Sequence, residues 1–88
     1  MEIAHDPDKN LVWCQVEGHT ATVEYEVKEG TLDILHTRVP APLEGHGLAS
    51  QLVQWSYDYA RRQGLRPAAT CSYAQAWLKR HPEYVVKE

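Results

Sequence analysis

Between Thr20 and Val27 apolar and polar residues alternate without a break. Ala21, Val23, Tyr25 and Val27 fall on one side of an extended chain, and Thr20, Thr22, Glu24 and Glu26 fall on the other. A period of two is that of a half-buried β-strand. Leu11 to Val16 is a short apolar run that reads as a strand buried on both faces, with Glu17-Gly18-His19 as the turn between the two. Lys28-Glu29-Gly30 is a glycine-bearing hairpin connection to a third strand, Thr31 to Val39. There Leu32 and Ile34 share a face with His36, while Leu35, Thr37 and Val39 share the other. Pro40 and Pro42 end the strand, because proline has no amide hydrogen for the ladder. The first half of the chain therefore reads as a three-stranded antiparallel meander, preceded by a polar turn or leader from Asp6 to Asn10.

After Gly47 the period changes. Leu48, Leu52, Trp55 and Tyr59 recur at helical spacing, and Ala49, Val53, Tyr57 and Ala60 widen the stripe. This predicts an amphipathic helix from Gly47 to Gln63. Arg61 and Arg62 suit its last turn, and Gly64 suits the left-handed residue that follows. Leu65 to Cys71 reads as a short strand. Ser72 then caps a second helix running to about Arg80, with Trp77 and Leu78 inward. His81-Pro82-Glu83-Tyr84 stops that helix, and Tyr84-Val85-Val86 adds a last extended piece. The order βββαβα is an α+β fold, an antiparallel sheet with helices packed on it.

Length and charge narrow the field further. With 88 residues, 43% of them hydrophobic and a net charge of −3, residues 1–88 form one globular domain rather than a disordered chain. A domain this small buries only about 60% of its extended-chain surface, so Cys14 and the three tryptophans, Trp13, Trp55 and Trp77, are expected in the core or at its rim. No apolar run reaches the ~20 residues of a membrane helix, and the N-terminus has neither part of a secretory signal. Twelve acidic residues against nine basic ones argue against nucleic acid. The cluster of Arg61, Arg62 and Arg66 reads as cations at a helix C-terminus. Cys14 and Cys71 are too few for a disulfide scaffold and read as reduced thiols in the cytoplasm. No CxxC or HExxH is present, and the five histidines make no pair at ligand spacing, so no metal is expected. A short meander leaves an edge strand, which keeps both a monomer and a weak homodimer open.

The stretch from Val39 to Ala49 carries the chemistry. A strand ends, a loop with Gly45 and Gly47 follows, and the long helix begins at once. The first amides of a helix have no intrahelical partner, and the helix dipole favours an anion there. Glycine lets the backbone approach a ligand and take positive φ. The same pattern also occurs as a plain tight connection. It is not a P-loop, since no Gly-Lys-Ser/Thr opens the helix, and no βαβ unit marks it as a dinucleotide fingerprint.

Four segments in this order resemble a known family: His36-Thr37-x-Val39-Pro40; Glu44-Gly45-x-Gly47-Leu48-Ala49-x-x-Leu52-Val53; Cys71-Ser72-Tyr73; and His81-Pro82-Glu83-Tyr84. From about Val16 to Tyr84 the chain is similar to the minimal GCN5-related N-acetyltransferase-like proteins, including bacterial YjdJ-type proteins and small eukaryotic relatives. The resemblance implies a truncated acyl-CoA N-acyltransferase fold and an acetyl-CoA site. The superfamily's pyrophosphate loop is Arg/Gln-x-x-Gly-x-Gly/Ala; Gly47 and Ala49 match its last two positions. Glu44 stands where arginine or glutamine is expected, which removes a donor and adds a negative charge beside a pyrophosphate. The resemblance further implies that Thr37, Arg38 and Val39 hold the pantetheine arm, and that the loop from Glu44 through Gly45, His46, Gly47 and Leu48 to Ala49 holds the phosphates.

It also implies catalytic candidates. Cys71 would lie near the acetyl thioester, as an acyl acceptor or as an acid toward the leaving thiolate. Either role gains from a thiol pKa lowered by the helix start at Ser72 or Tyr73. The competing reading of Cys71 is a buried small residue. His36, with an imidazole pKa near 6.5, could deprotonate an ammonium or a thiol, or be a sheet histidine bonded to a neighbouring strand. Tyr73 would line the pocket or pack, and His81 and Tyr84 would close the C-terminal end. The implied reaction is acetyl transfer from acetyl-CoA to a primary amine, and the net charge favours a cationic one. Two rivals remain: a non-catalytic coenzyme A or acyl-CoA binding module, which Glu44 favours, and a thiol hydrolase using Cys71 and His36, which lacks a third orienting residue.

Overall fold

The computed structural model describes residues 2–85. Four strands run antiparallel in sequence order: β1 (Ile3–Asp6), β2 (Leu11–Val16), β3 (His19–Lys28) and β4 (Thr31–Arg38). Helix α1 (Leu48–Arg62) crosses back, β5 (Arg66–Ala69) joins the edge beside β4, and α2 (Ser72–Arg80) follows. Short 3-10 turns lie at Ala41–Leu43 and Pro82–Tyr84. The sheet is mixed rather than wholly antiparallel: a helical crossover returns the chain in its original direction, so β5 lies parallel to β4.

The sequence reading missed β1. Its four residues are too few for a visible period, but they pair with β2 from Ile3↔Cys14 to Asp6↔Leu11. His5 pins this edge. Its Nε2 lies 2.6 Å from the Tyr25 hydroxyl, and its ring sits 4.5 Å from that of Tyr59 and 5.1 Å from that of Trp55. Only the turn is as expected, with the Asp6 carboxylate accepting from the amides of Asp8 and Lys9.

The core lies between one sheet face and the helices. Val12, Cys14, Ala21, Val23, Tyr25, Leu32 and Ile34 meet Leu52, Val53, Tyr57 and Ala60 of α1 and Trp77 of α2. In β2, only Val12 and Cys14 are buried, so that strand alternates instead of being buried on both faces. Val27 is 46% exposed at the hairpin end, although its period puts it with the core residues. The Tyr57 hydroxyl donates to the Ala68 carbonyl at 2.6 Å, tying α1 to β5. The opposite sheet face, which carries Trp13, Thr22, Glu24, His36 and Arg38, has no fully buried residue among those described.

The C-terminal end is closed by a ring cluster. His81 stacks on Trp77 at 3.9 Å and its Nδ1 bonds the Trp77 carbonyl, while the Tyr84 hydroxyl donates to Asp58 beneath the Arg61 guanidinium. A 3-10 turn stands where an extended piece was expected; Val86 lies outside the described residues.

One irregularity redirects the site. Tyr25 pairs with Ile34, but Glu24 pairs with His36, so Leu35 is an extra residue in β4. A bulge of one residue reverses the alternation beyond it. Thr37 therefore stands opposite buried Val23 on the helix side, and His36 stands opposite Glu24 on the other face. The expectation that His36 shares a face with Leu32 and Ile34 is overturned, because an unbroken period of two cannot pass through an inserted residue.

Burial lowers the pKa of His5, with Asp6 opposing more weakly. The unfolded chain then binds this proton more tightly than the fold does. His5 contributes stability that is complete above about pH 6.5 and is lost as pH falls below it. Melting temperatures measured between about pH 7 and pH 5 should fall in the wild type and fall less in His5→Leu.

Candidate active site

β4 and β5 pair only as far as Ile34↔Ala69. Beyond that point they part. The amides of Thr70 and Cys71 both turn back to the Ile34 carbonyl at 3.0 Å. The Asp33 carboxylate takes the Thr70 amide on one oxygen and the Thr70 hydroxyl on the other, each at 2.7 Å. β4 continues through Thr37 and Arg38 with no ladder to β5, which leaves an opening between the strands.

Cys71 stands at the mouth of that opening. It occupies the N-cap of α2, the place expected of Ser72, because its extended backbone ends β5's connection and Ser72 is already helical. Its Sγ lies 3.5 Å from the Thr37 hydroxyl. Burial, the largest influence, pushes the thiol pKa up. The Thr37 hydroxyl and the amides of Ala74, Tyr73 and Thr37 outweigh burial, so the net shift is downward. The sulfur makes no cap hydrogen bond of normal geometry, and the first-turn amides act on it as dipoles.

The loop is built for close approach. Leu43, 2% exposed, anchors it in the core. Gly45 and Gly47 have φ of 83° and 73°, in the left-handed region that favours glycine. Nothing lies within 4 Å of a Cβ built on either, so conformation and not crowding demands them. Gly47 is the N-cap of α1, and no side chain caps that helix. The first helical bond onto Gly47 comes from Gln51, which leaves the earlier amides of the first turn for other partners.

A groove of about 220 Å³ lies against this loop. Val39, Leu43, Glu44, Gly45, Gly47, Leu48, Ala49 and Ser50 line it, with Tyr73 of α2 on the far side. The structure thus brings together Val39, Glu44, Gly45, Gly47, Leu48, Ala49 and Tyr73 from the sequence candidates. Thr37 and Arg38 lie just upstream on β4, and Cys71 two residues before Tyr73. His46 instead lines a second hollow of about 390 Å³ with Val16, Glu17 and Gln51, behind a wall formed by Leu43 and Leu48. His36 is exposed on the opposite sheet face and is not brought to Cys71. Ser50 was missed: it lines the groove and accepts a hydrogen bond from the Trp77 indole at 3.0 Å. Its first-turn position was the available signal.

These donors fit a phosphorylated, amide-rich thioester. Unpartnered helix-start amides suit a pyrophosphate, the unpaired edge of β4 suits an extended amide arm, and the Cys71 thiol lies close by at the start of α2. Among the described residues no group of three or more His, Cys, Asp or Glu could hold a metal ion, and no helix is long and apolar enough to cross a membrane.

Comparison with known proteins agrees with this geometry. Residues 12–87 match a family model described as GCN5-related N-acetyl-transferase. Protein NATD1 of Xenopus tropicalis is 29% identical over 85 residues, covering 93% of this chain and 78% of that protein. Protein NATD1 of Homo sapiens is 28% identical over 85 residues, covering 93% and 75%. The NMR solution structure of a GCN5-like protein from Staphylococcus aureus superposes with a TM-score of 0.75 at 25% identity, over 99% of this chain and 91% of that one. A matched model over most of the chain, a shared fold and a groove at the start of α1 converge on one assignment: the chain belongs to the GCN5-related N-acetyltransferase family and is an acyltransferase.

Proposed function

We propose that this protein binds acetyl-CoA and transfers its acetyl group to a primary amine. The observation that carries the reading is the groove at the uncapped N-terminus of α1. Its α2 wall is Tyr73, two residues after Cys71, and Cys71 itself meets Thr37 where β4 and β5 have separated. Amides at Gly45, Gly47, Leu48 and Ala49 hold the pyrophosphate, while His46 faces the neighbouring hollow. The unpaired edge at Thr37, Arg38 and Val39 holds the pantetheine arm, and Tyr73 covers it. Glu44 puts a carboxylate on the groove rim and weakens the affinity relative to an arginine there.

The reaction forms a C–N bond, breaks the thioester C–S bond and moves one proton from the amine to the departing sulfur. Cys71, whose pKa is lowered, supplies that proton or carries the acetyl group as a thioester on the way. His36, on the helix-free face of the sheet with Glu24 directly across from it, is too far round to act as a base at a thioester beside Cys71. The net charge of −3 favours a cationic acceptor. The protein works in the cytoplasm, as a monomer or weak homodimer, with no nucleic-acid or membrane partner.

Glu44 is the feature that favours the second reading, a module that binds coenzyme A without catalysis. Titration calorimetry and an amine-library assay separate the two. Acetyl-CoA and coenzyme A should bind saturably while adenosine diphosphate does not, and Gly47→Ala should weaken binding about ten-fold by straining a left-handed position. Cys71→Ala should lower kcat about 100-fold with Kd for acetyl-CoA unchanged, whereas His36→Ala, on the far sheet face, should change kcat less than about two-fold. Binding without transfer to any amine would establish the module; no binding at millimolar ligand would exclude both.

A further inference from the structure

We infer that Thr37 is the positioning residue of the active-site thiol, holding the Cys71 sulfur in place and setting its acidity through its side-chain hydroxyl. Two independent features of the backbone create the pair. The Leu35 bulge turns Thr37 to the helix side of β4; an unbroken strand would have put His36 there. The turn fixed by Asp33 and Thr70 then delivers Cys71 to the start of α2, opposite Thr37. The resulting contact, 3.5 Å from Sγ to Oγ1, is the one side-chain hydrogen bond to this sulfur among the described residues.

A hydroxyl can serve both forms of a thiol, because it accepts as well as donates. With Cys71 protonated, the S–H donates to Thr37 Oγ1. When the proton passes to the departing coenzyme sulfur, the Thr37 O–H rotates and donates to the thiolate. The amine's proton later restores the S–H. No atom of Thr37 is consumed, and no ion pair has to be broken. An imidazolium partner would instead lock the sulfur as a thiolate.

The other groups near the sulfur do not do this. Tyr57 approaches from α1, but its hydroxyl is committed to the Ala68 carbonyl, and burial with the nearby Asp33 and Cys71 pushes its pKa far up, so it stays neutral. Asp33 of β4 spends both carboxylate oxygens on Thr70. Tyr73 of α2 is exposed at the groove rim, and His36 and Arg38 lie on the far face of β4. The role of Thr37 in turnover rests on the acetyl-transfer reading; its effect on the thiol does not.

The test is the pH profile of alkylation of Cys71 by iodoacetamide, localised by mass spectrometry, on the full chain without acetyl-CoA. The wild-type midpoint should lie below the ordinary value of a free thiol, about 8.5. Thr37→Val, nearly the same shape, should raise the midpoint and slow alkylation at pH 7 about five-fold. Thr37→Ser should restore both. Thr37→Ala, which adds no bulk, gives the same reading if the valine variant does not fold. A wild-type midpoint at or above about 8.5, an unchanged profile in a folded Thr37→Val or Thr37→Ala, or a failure of serine to restore it, would overturn the inference. If the thiol shifts as expected while no amine is acetylated, the pairing stands and the acetyl-transfer reading fails.

Discussion

The site depends on where one ladder is made to stop. Parallel strands with matching edges would go on pairing, and β4 has four more residues to offer beyond Ile34. The Asp33 carboxylate prevents this by holding both the amide and the hydroxyl of Thr70, so the chain leaves the sheet there. A charged acceptor with two short hydrogen bonds is a strong local constraint. From it follow the opening between the strands, the start of α2 at Cys71 and the unpaired edge of β4.

The glycine loop and the bulge then give that opening its chemistry. Gly45 and Gly47 let the chain turn from β4 into α1 within a few residues, with Leu43 buried as the anchor. Leu43 and Leu48 form a single wall that separates the groove from the hollow containing His46 and Glu17. One wall is thus shared rather than duplicated, which is how so short a chain keeps a core and a cleft together. The helices take one sheet face only, and Tyr57, Trp77 and Tyr84 lock them to β5 and to each other.

Periodicity was a good guide where the backbone was regular. The alternation from Ala21 to Tyr25 and the helical stripe from Leu48 to Ala60 are the core of the fold. The glycine loop was legible for the same reason, since Gly-x-Gly before an apolar helix has few structural meanings. Three features were hidden. β1 is too short to show a period, and its anchor, His5, looks polar in the sequence while sitting among aromatic rings. The Leu35 bulge leaves no compositional mark, so Thr37 and His36 exchanged faces unseen. The cap of α2 fell to Cys71 because the parting of the strands, a tertiary event, decides where that helix begins.

Helix α1 is the longest element, and it begins without a side-chain cap. Ordinary helices spend a serine, threonine or aspartate on that position, worth about 1 kcal/mol. Here glycine occupies it, and the backbone is left to face whatever enters the groove. An anion seated there completes the helix as a missing side chain would. Whatever binds the folded form alone stabilises it by mass action. The folded form is then more stable with such an anion seated than without it, so that ligand supply and folding stability become two readings of the same equilibrium.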